Sequence, residues 1–348
     1  MALLFATGFN GITTATIGRR SALAIISAVG ANGRYGQAVR LQGGSANAYN
    51  TLAWSDKTTI YYGAWLKPVA VLASEDTQFG RLLDAFDANA FVSHLTINYD
   101  FTDETISVVG PSPSYTEFYA GTANAWPVNT WAFLEVKLVV DNSAGAVTVR
   151  LNGTQVYAGT GLDTRQGSHS PYGVNAITVG GFGMDDLYCD SIYALDASGS
   201  APHNTFLGPI RVDKVDTSAN DSVQFTPLSS TNESNVDDGN SPDDDTSYNE
   251  SSTLNHRDTF TVSGHHATSH KVFAVIARAM AKASAADGRE LRTVIDDGSV
   301  HTGPSTPIDD TGYIEVSQIL EIPTSSYASP EAAESAINAL KVGYEISA

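Results

Sequence analysis

With 348 residues, 42% of them hydrophobic, the chain is long enough for two ordinary domains, each with a packed core. Its 38 acidic residues outweigh 19 basic ones for a net charge of −19, which argues against nucleic acid as a direct partner because phosphate contacts need clustered Lys and Arg. One cysteine, Cys189, excludes an intramolecular disulfide and a multi-cysteine zinc site.

In chain order, MALLFATGFNG has no basic leader and too short an apolar run for a signal peptide. No stretch approaches the ~20 apolar residues that span a bilayer. The expectation is a protein made and folded in a reducing cytoplasm, with no membrane partner. TIYYGAW (59–65) reads as a strand that ends before Pro68. In FVSHLTINY, Phe91, Leu95, Ile97 and Tyr99 share one face, and His94, on the other, reads as an exposed strand histidine. TISVVG follows a polar turn at Thr102–Glu104.

The clearest pattern is WAFLEVKLVVDNSAGAVTVRLNGTQVY (131–157). Ala132, Leu134, Val136, Leu138 and Val140 alternate with Glu135 and Lys137, and after a turn Val147, Val149 and Leu151 alternate with Thr148 and Arg150. Asn152-Gly153 makes a second turn. Period-two patterning broken by Asn/Gly turns marks antiparallel strands with one buried face. The Glu135–Lys137 face reads as surface, suited to assembly rather than catalysis. AITVGG (176–181), DDLYCDSIYAL (185–195) and FLGPIRVDKV (206–215) read as further strands, with Cys189 as a buried structural thiol. Evenly spaced strands without intervening helices indicate a sandwich or jelly roll over residues 1–215.

Residues 216–258 change character. SSTNESNVDDGNSPDDDTSYNESS is rich in Ser, Asn and Asp and reads as an extended, solvated crossing, part of which packs as irregular chain on a domain or a neighbouring subunit. The charge is uneven: residues 1–212 hold 16 acidic and 11 basic side chains, residues 213–348 hold 22 and 8. Over 259–348 RDTFTV, RELRTVI and YIEVSQILEI read as strands; KVFAVIARAMAKASA is ambiguous, because Val272, Val275, Ile276 and Ala279 also fit a helix, and its position between strands favours the strand KVFAVIARA. SPEAAESAINAL reads as one short helix with Ser329 as N-cap and Pro330 in its first turn, and Gly343 ends that region. The fold class is all-β: a sandwich, then a second β-rich sandwich-like domain with one helix.

Few residues promise chemistry. Glycoside hydrolysis needs two carboxylates across a cleft. Glu135 stands alone on its strand, and Glu315 and Glu321 share a face but lie about 20 Å apart at normal strand rise. His265, His266 and His270 follow Gly264 in a turn-like segment and read as incidental. No catalytic residue is assigned, and the chain is expected not to be an enzyme. No cofactor is expected either, although Asp243, Asp244 and Asp245, with Asp237 and Asp238, offer hard oxygen ligands of the kind Ca²⁺ takes. Asp185-Asp186 reads as a turn at a strand start. Asn232-Glu-Ser and Asn249-Glu-Ser match the glycosylation sequon formally. Tyr115, Tyr119 and Trp126, in a Gly/Pro-rich stretch between strands, are the candidate rings for stacking on a sugar.

Two resemblances carry further expectations. WAFLEVKLVV, GAVTVRLNG and AITVGGFGMDDLYCD resemble the concanavalin A-like, laminin-G-like jelly roll over about residues 1–212. That fold hosts lectins, glucanases and structural modules, and neither lectin metal ligands nor glucanase carboxylates match positions here. MDDLYCDS, NTFLGPIRV, DDDTSYNESS and the closing Ala-Leu-Lys-Val-Gly-Tyr-Glu resemble a group of tailed-bacteriophage virion proteins. This implies a non-enzymatic structural subunit assembled in the bacterial cytoplasm and located in the virion: a fibre, collar, baseplate or decoration component. Its expected partners are other virion proteins and copies of itself. The alternative is a carbohydrate-binding module of a receptor-binding tail protein, with a host-surface glycan as partner.

Overall fold

The computed structural model describes residues 3–7, 28–34, 36–42, 48–50, 54–69, 79–87, 92–111, 114–165, 172–180, 186–238, 242–263, 271–285, 288–309, 312–322 and 327–348. The chain divides into two units, 1–212 and 213–348. Both are built of antiparallel strands, with one short α-helix among the described residues.

Unit 1 contains β1 (Leu3–Thr7), β2 (Ala28–Gly33), β3 (Gly36–Gln42), β4 (Ala48–Asn50), β5 (Thr59–Val69), β6 (Phe79–Asp87), β7 (Val92–Asp100), β8 (Thr105–Val109), β9 (Glu117–Ala120), β10 (Ala132–Val139), β11 (Gly145–Leu151), β12 (Thr154–Leu162), β13 (Ala176–Gly180) and β14 (Asp186–Asp196). One sheet runs β12-β11-β10-β5-β14-β3-β2, with β1 also on β14; the other runs β4-β13-β6-β7-β8-β9. The alternation that marks 131–157 as a hairpin produces the core directly. Leu134, Val136 and Leu138 lie beside Val149, Val147 and the Ile60–Tyr62–Ala64 row of β5, facing Leu95, Ile97, Ile177 and Val179 of the second sheet. His94 is buried, not exposed.

Pro68 does not stop β5. β10 leaves its side of β5 after the Leu66–Ala132 pair, so the missing N–H of Pro68 falls where no strand asks for it. Its carbonyl is used, accepting the Asn129 N–H at 2.8 Å. In β14 a bulge between Asp190 and Tyr193, with Ser191 in the left-handed region (φ 45°), places both Asp190 and Tyr193 on the outer face. Residues 206–215 are not a strand. Residues 206–212 cross the outer face of the first sheet as an irregular strap.

Unit 2 contains β15 (Asp216–Ser222), β16 (Thr226–Pro227), β17 (Asn249–Glu250), β18 (Arg257–Ser263), β19 (Ala274–Ala281), β20 (Glu290–Asp296), β21 (Val300–Thr302), β22 (Thr306–Pro307), β23 (Ile314–Glu321), α1 (Pro330–Asn338) and β24 (Lys341–Ile346). The main sheet is β15-β18-β24-β20-β21, with β22 also on β20; β19 pairs β23. Phe225, Phe260, Leu291, Val316, Tyr344 and Ile346 form the core, and the Val262–Ile337–Leu340 cluster seats α1. Ser329 Oγ accepts the Ala332 N–H at 3.2 Å, the N-cap that its sequence position predicts. Gly343 sits inside β24, because a Cβ there would run into the Asp258 carbonyl.

The 216–258 crossing is part of this unit rather than a solvated link. β15 pairs β18, and beyond it the chain folds around Asp258, which is fully buried. The Asp258 carboxylate accepts the Gln224 N–H (2.7 Å), the Phe225 N–H (2.9 Å), Asn232 Nδ2 (2.9 Å) and the Tyr344 hydroxyl (3.3 Å). Asn249 Nδ2 donates to the Asn232 carbonyl and the Tyr344 oxygen, both at 2.8 Å. Asn232 is thus a buried strut, and the sequon beginning there is a packing element.

Candidate functional site

The outer face of the first sheet shows why Glu135 is not the surface group its alternation suggests. Its register sets Glu135 opposite Gly63 on one side and Arg150 on the other. The strap covers it: Gly208 N–H donates to Glu135 Oε1 at 2.9 Å, and Tyr193 Oη donates to the same oxygen at 2.7 Å. Trp65 Nε1 donates to the Ile210 carbonyl (2.8 Å), Val212 N–H to Ser191 Oγ (3.2 Å), and Arg150 lies over the Phe206 ring at 4.1 Å. Glu135 is 0% exposed, and its Oε2 accepts no hydrogen bond among the described residues. Burial pushes its carboxyl above the usual range, opposed by the Tyr193 and Gly208 bonds and by Arg150. A group sealed this way reaches no substrate.

The expected aromatic trio does not form a platform. Trp126 is 2% exposed: its ring packs edge-on against Tyr99, Nε1 donates to the Thr130 carbonyl (2.9 Å), and its own carbonyl accepts the Tyr99 hydroxyl (2.6 Å). Tyr119 is half-buried and stacked on Tyr157 at 5.2 Å, bridging β9 and β12 at the sandwich margin. Of the three, only Tyr115 is open, at 53%.

Nor do the three aspartates converge on one point. Asp243 turns to Ser247, accepting its N–H (3.1 Å) and hydroxyl (2.9 Å). Asp245 pairs with Lys282 (2.7 Å) and accepts the Tyr313 hydroxyl (3.0 Å), which hold its carboxyl below the usual range. Asp244 sits in the left-handed region, at φ 57°. Among the described residues no group of three or more His, Cys, Asp or Glu is disposed to hold a metal. Asp185, His265, His266 and His270 lie outside the described residues. Cys189 is buried, and burial with the neighbouring Asp190 charge raises its thiol well above the ordinary value, away from reactivity.

The site that the sequence did not single out lies on unit 2. Three adjacent strands place Arg257 opposite Glu345 and Glu345 opposite Arg292. The buried carboxylate sits between two guanidinium forks. Arg257 donates Nε (2.6 Å) and Nη2 to Oε2, and Arg292 donates Nε (3.0 Å) and Nη2 to Oε1. Together with Ser222, Gln224 and Asn255 they line an open cleft of about 500 Å³. Gln224 Oε1 accepts the Arg257 N–H (2.8 Å), which fixes its amide plane. Asn255 takes the left-handed conformation (φ 64°) that Asn tolerates, and its N–H is tied to the Ile346 carbonyl at 2.9 Å. The Gln224 amide nitrogen, the Asn255 side-chain amide and Nη1 of both arginines have no protein partner among the described residues. Val223 and Leu254, next in the chain to cleft residues, are exposed apolar side chains.

Fold and cleft together define an antiparallel β-sandwich protein with a polar cleft on its second unit. No protein-family model matches the chain, and no curated protein matches it significantly. Among solved structures it is similar to the receptor-binding domain of botulinum neurotoxin type G (9% identity, 94% of this chain and 84% of that one, TM-score 0.38). It is similar too to domain 4 of AbnA, a GH43 extracellular arabinanase from Geobacillus stearothermophilus, in complex with arabinotriose (17%, 56% and 92%, TM-score 0.35). A Trypanosoma rangeli sialidase is matched at 11% identity over 48% of this chain, which spans only 26% of that enzyme, with a TM-score of 0.33. Likenesses this distant carry no argument about function.

Proposed function

We propose that this chain is a non-enzymatic binding protein that takes a carbohydrate into the unit 2 cleft. The observation that supports this is the cleft lining: a hydroxyl, two amides and two guanidinium edges gathered at one sheet and its flanking turns, with the amide nitrogens and Nη1 of both arginines unspent. Planar donors and acceptors fixed in a shallow cleft suit vicinal sugar hydroxyls, which need paired, directional hydrogen bonds. The one carboxylate present, Glu345, is clamped by two arginines, whereas glycosidic cleavage needs an acid and a second carboxylate.

The resemblance to tailed-phage virion proteins supplies the setting. A sugar-binding subunit of this kind serves as a receptor-binding part of a tail, assembled as a homo-oligomer among other virion proteins in the host cytoplasm. Mass spectrometry of purified particles and light scattering of the isolated protein check that setting. Its absence from particles would remove it, leaving the binding reading intact.

The direct test is an array of bacterial surface polysaccharides probed with the wild-type protein, then with Asn255→Gly and Gln224→Ala. Both side chains are exposed, so the variants should keep their melting temperatures. The expected result is a retained glycan whose affinity falls roughly tenfold in each variant, the worth of a lost hydrogen bond or two. No retained glycan, or a glycan indifferent to both changes, refutes the proposal.

A further inference from the structure

We infer that the ligand of this cleft carries a carboxylate, so that its preferred occupant is an acidic sugar of the uronic or sialic type. The inference deepens the proposed sugar binding and rests on it. Among the side chains that line the cleft, two guanidinium groups face one carboxylate, which leaves one positive charge in excess at its surface, and Ser222, Gln224 and Asn255 add none; the neighbouring Asp258 carboxylate is buried and held by four donors of its own. This excess stands in a unit with 22 acidic and only 8 basic residues, two of which are these arginines. Each arginine has committed Nε and Nη2 to Glu345, and each keeps Nη1 with no protein partner among the described residues. The forks are pre-oriented by Glu345, so a ligand pays little side-chain entropy to engage them.

The charge balance also selects the kind of anion. A monoanion neutralises the excess, whereas a phosphate dianion would place two negative charges above Glu345 against a single net positive one. A planar carboxylate matches guanidinium N–H edges in a way that a neutral hydroxyl does not. Gln224 and Asn255 then stand beside the anion to take hydroxyls of the same ring.

The experiment titrates the full chain with glucuronate, galacturonate and N-acetylneuraminate, and in parallel with glucose, galactose, glucose 6-sulfate and glucose 6-phosphate. The Arg257 and Arg292 Nε–H signals are followed by NMR. At least one of the three sugar acids should shift both signals saturably and bind roughly tenfold more tightly than any other sugar in the set, with the advantage shrinking as salt is raised. Arg292→Lys and Arg257→Lys keep a positive charge beside Glu345 but lose the fork. Each should cost the acid roughly tenfold in affinity and the neutral sugars distinctly less, with thermal melts confirming the fold. Neutral sugars bound as well as acidic ones would overturn the carboxylate and spare the sugar reading. Tighter binding of the phosphate or sulfate would likewise overturn the carboxylate. No response to any sugar would overturn both.

Discussion

Glu135 and Gly63 show how one side chain can depend on the absence of another. A Cβ built at Gly63 would lie 2.9 Å from the Leu134 carbonyl and 3.0 Å from both Glu135 Cγ and Tyr193 Cε1. Gly63→Ala should therefore displace the Glu135–Tyr193 pair and cost about 1–3 kcal/mol in urea unfolding of unit 1. Glu135 itself carries a pH signature. Its folded pKa is raised above the unfolded value, so the stability linked to its proton is fully present below the unfolded pKa and is lost as pH rises through the folded one. Wild type should lose ground to Glu135→Gln over the window that opens as pH rises above the ordinary carboxylate range. Parallel pH profiles for the two proteins would show that Glu135 does not titrate in that window. Trp126→Ala, in contrast, should act on the core and not on any ligand, lowering stability by roughly 3–5 kcal/mol because a fully packed ring is removed.

Individual elements were unevenly legible in the sequence, and the reason is physical. Alternation in β10 and β11 reports which residues share a face, and so it placed Leu134, Val136 and Val149 correctly. It cannot report whether the opposite face is covered, which depends on a strap more than 50 residues away in sequence: Glu135 meets Tyr193 and Gly208 at separations of 58 and 73. The Asn- and Ser-rich crossing misled for a related reason. Polar composition predicts solvation unless a buried acceptor gathers the donors, and Asp258 in the TFTV strand does that. Asp258→Ala would leave two backbone N–H groups, an Asn amide and a Tyr hydroxyl to find new partners, at about 1–3 kcal/mol for each one left unsatisfied. Hydrogen exchange over residues 224–235 should accelerate in this variant while β20 stays protected. Uniform protection would mean the segment is held by other contacts. The cleft was the least legible element. Arg257, Arg292 and Glu345 come together only through strand register across separations of 88 and 53 residues.

The whole molecule joins two units with separate cores. The Val136–Ile97 core belongs entirely to residues 1–212, and the Phe260–Tyr344 core entirely to 213–348. Residues 1–212 and 213–348 produced separately should each fold, giving near-UV circular dichroism spectra that sum to that of the full chain. A molten spectrum from either piece would contradict that independence. Under the proposed function the large sandwich is the mount and the small, acidic sandwich the binding head.

The strap gives that division a mechanical side. If the head holds a surface while the mount is held elsewhere, tension enters unit 1 at Val212. The load meets the Val212–Ser191 bond first, then Ile210–Trp65, then Gly208–Glu135, then the Phe206 ring against Arg150 and Tyr61. These anchors lie in a row on β14, β5 and β10, so the strap would spread a pull over three strands in turn, as a row of stitches spares the cloth.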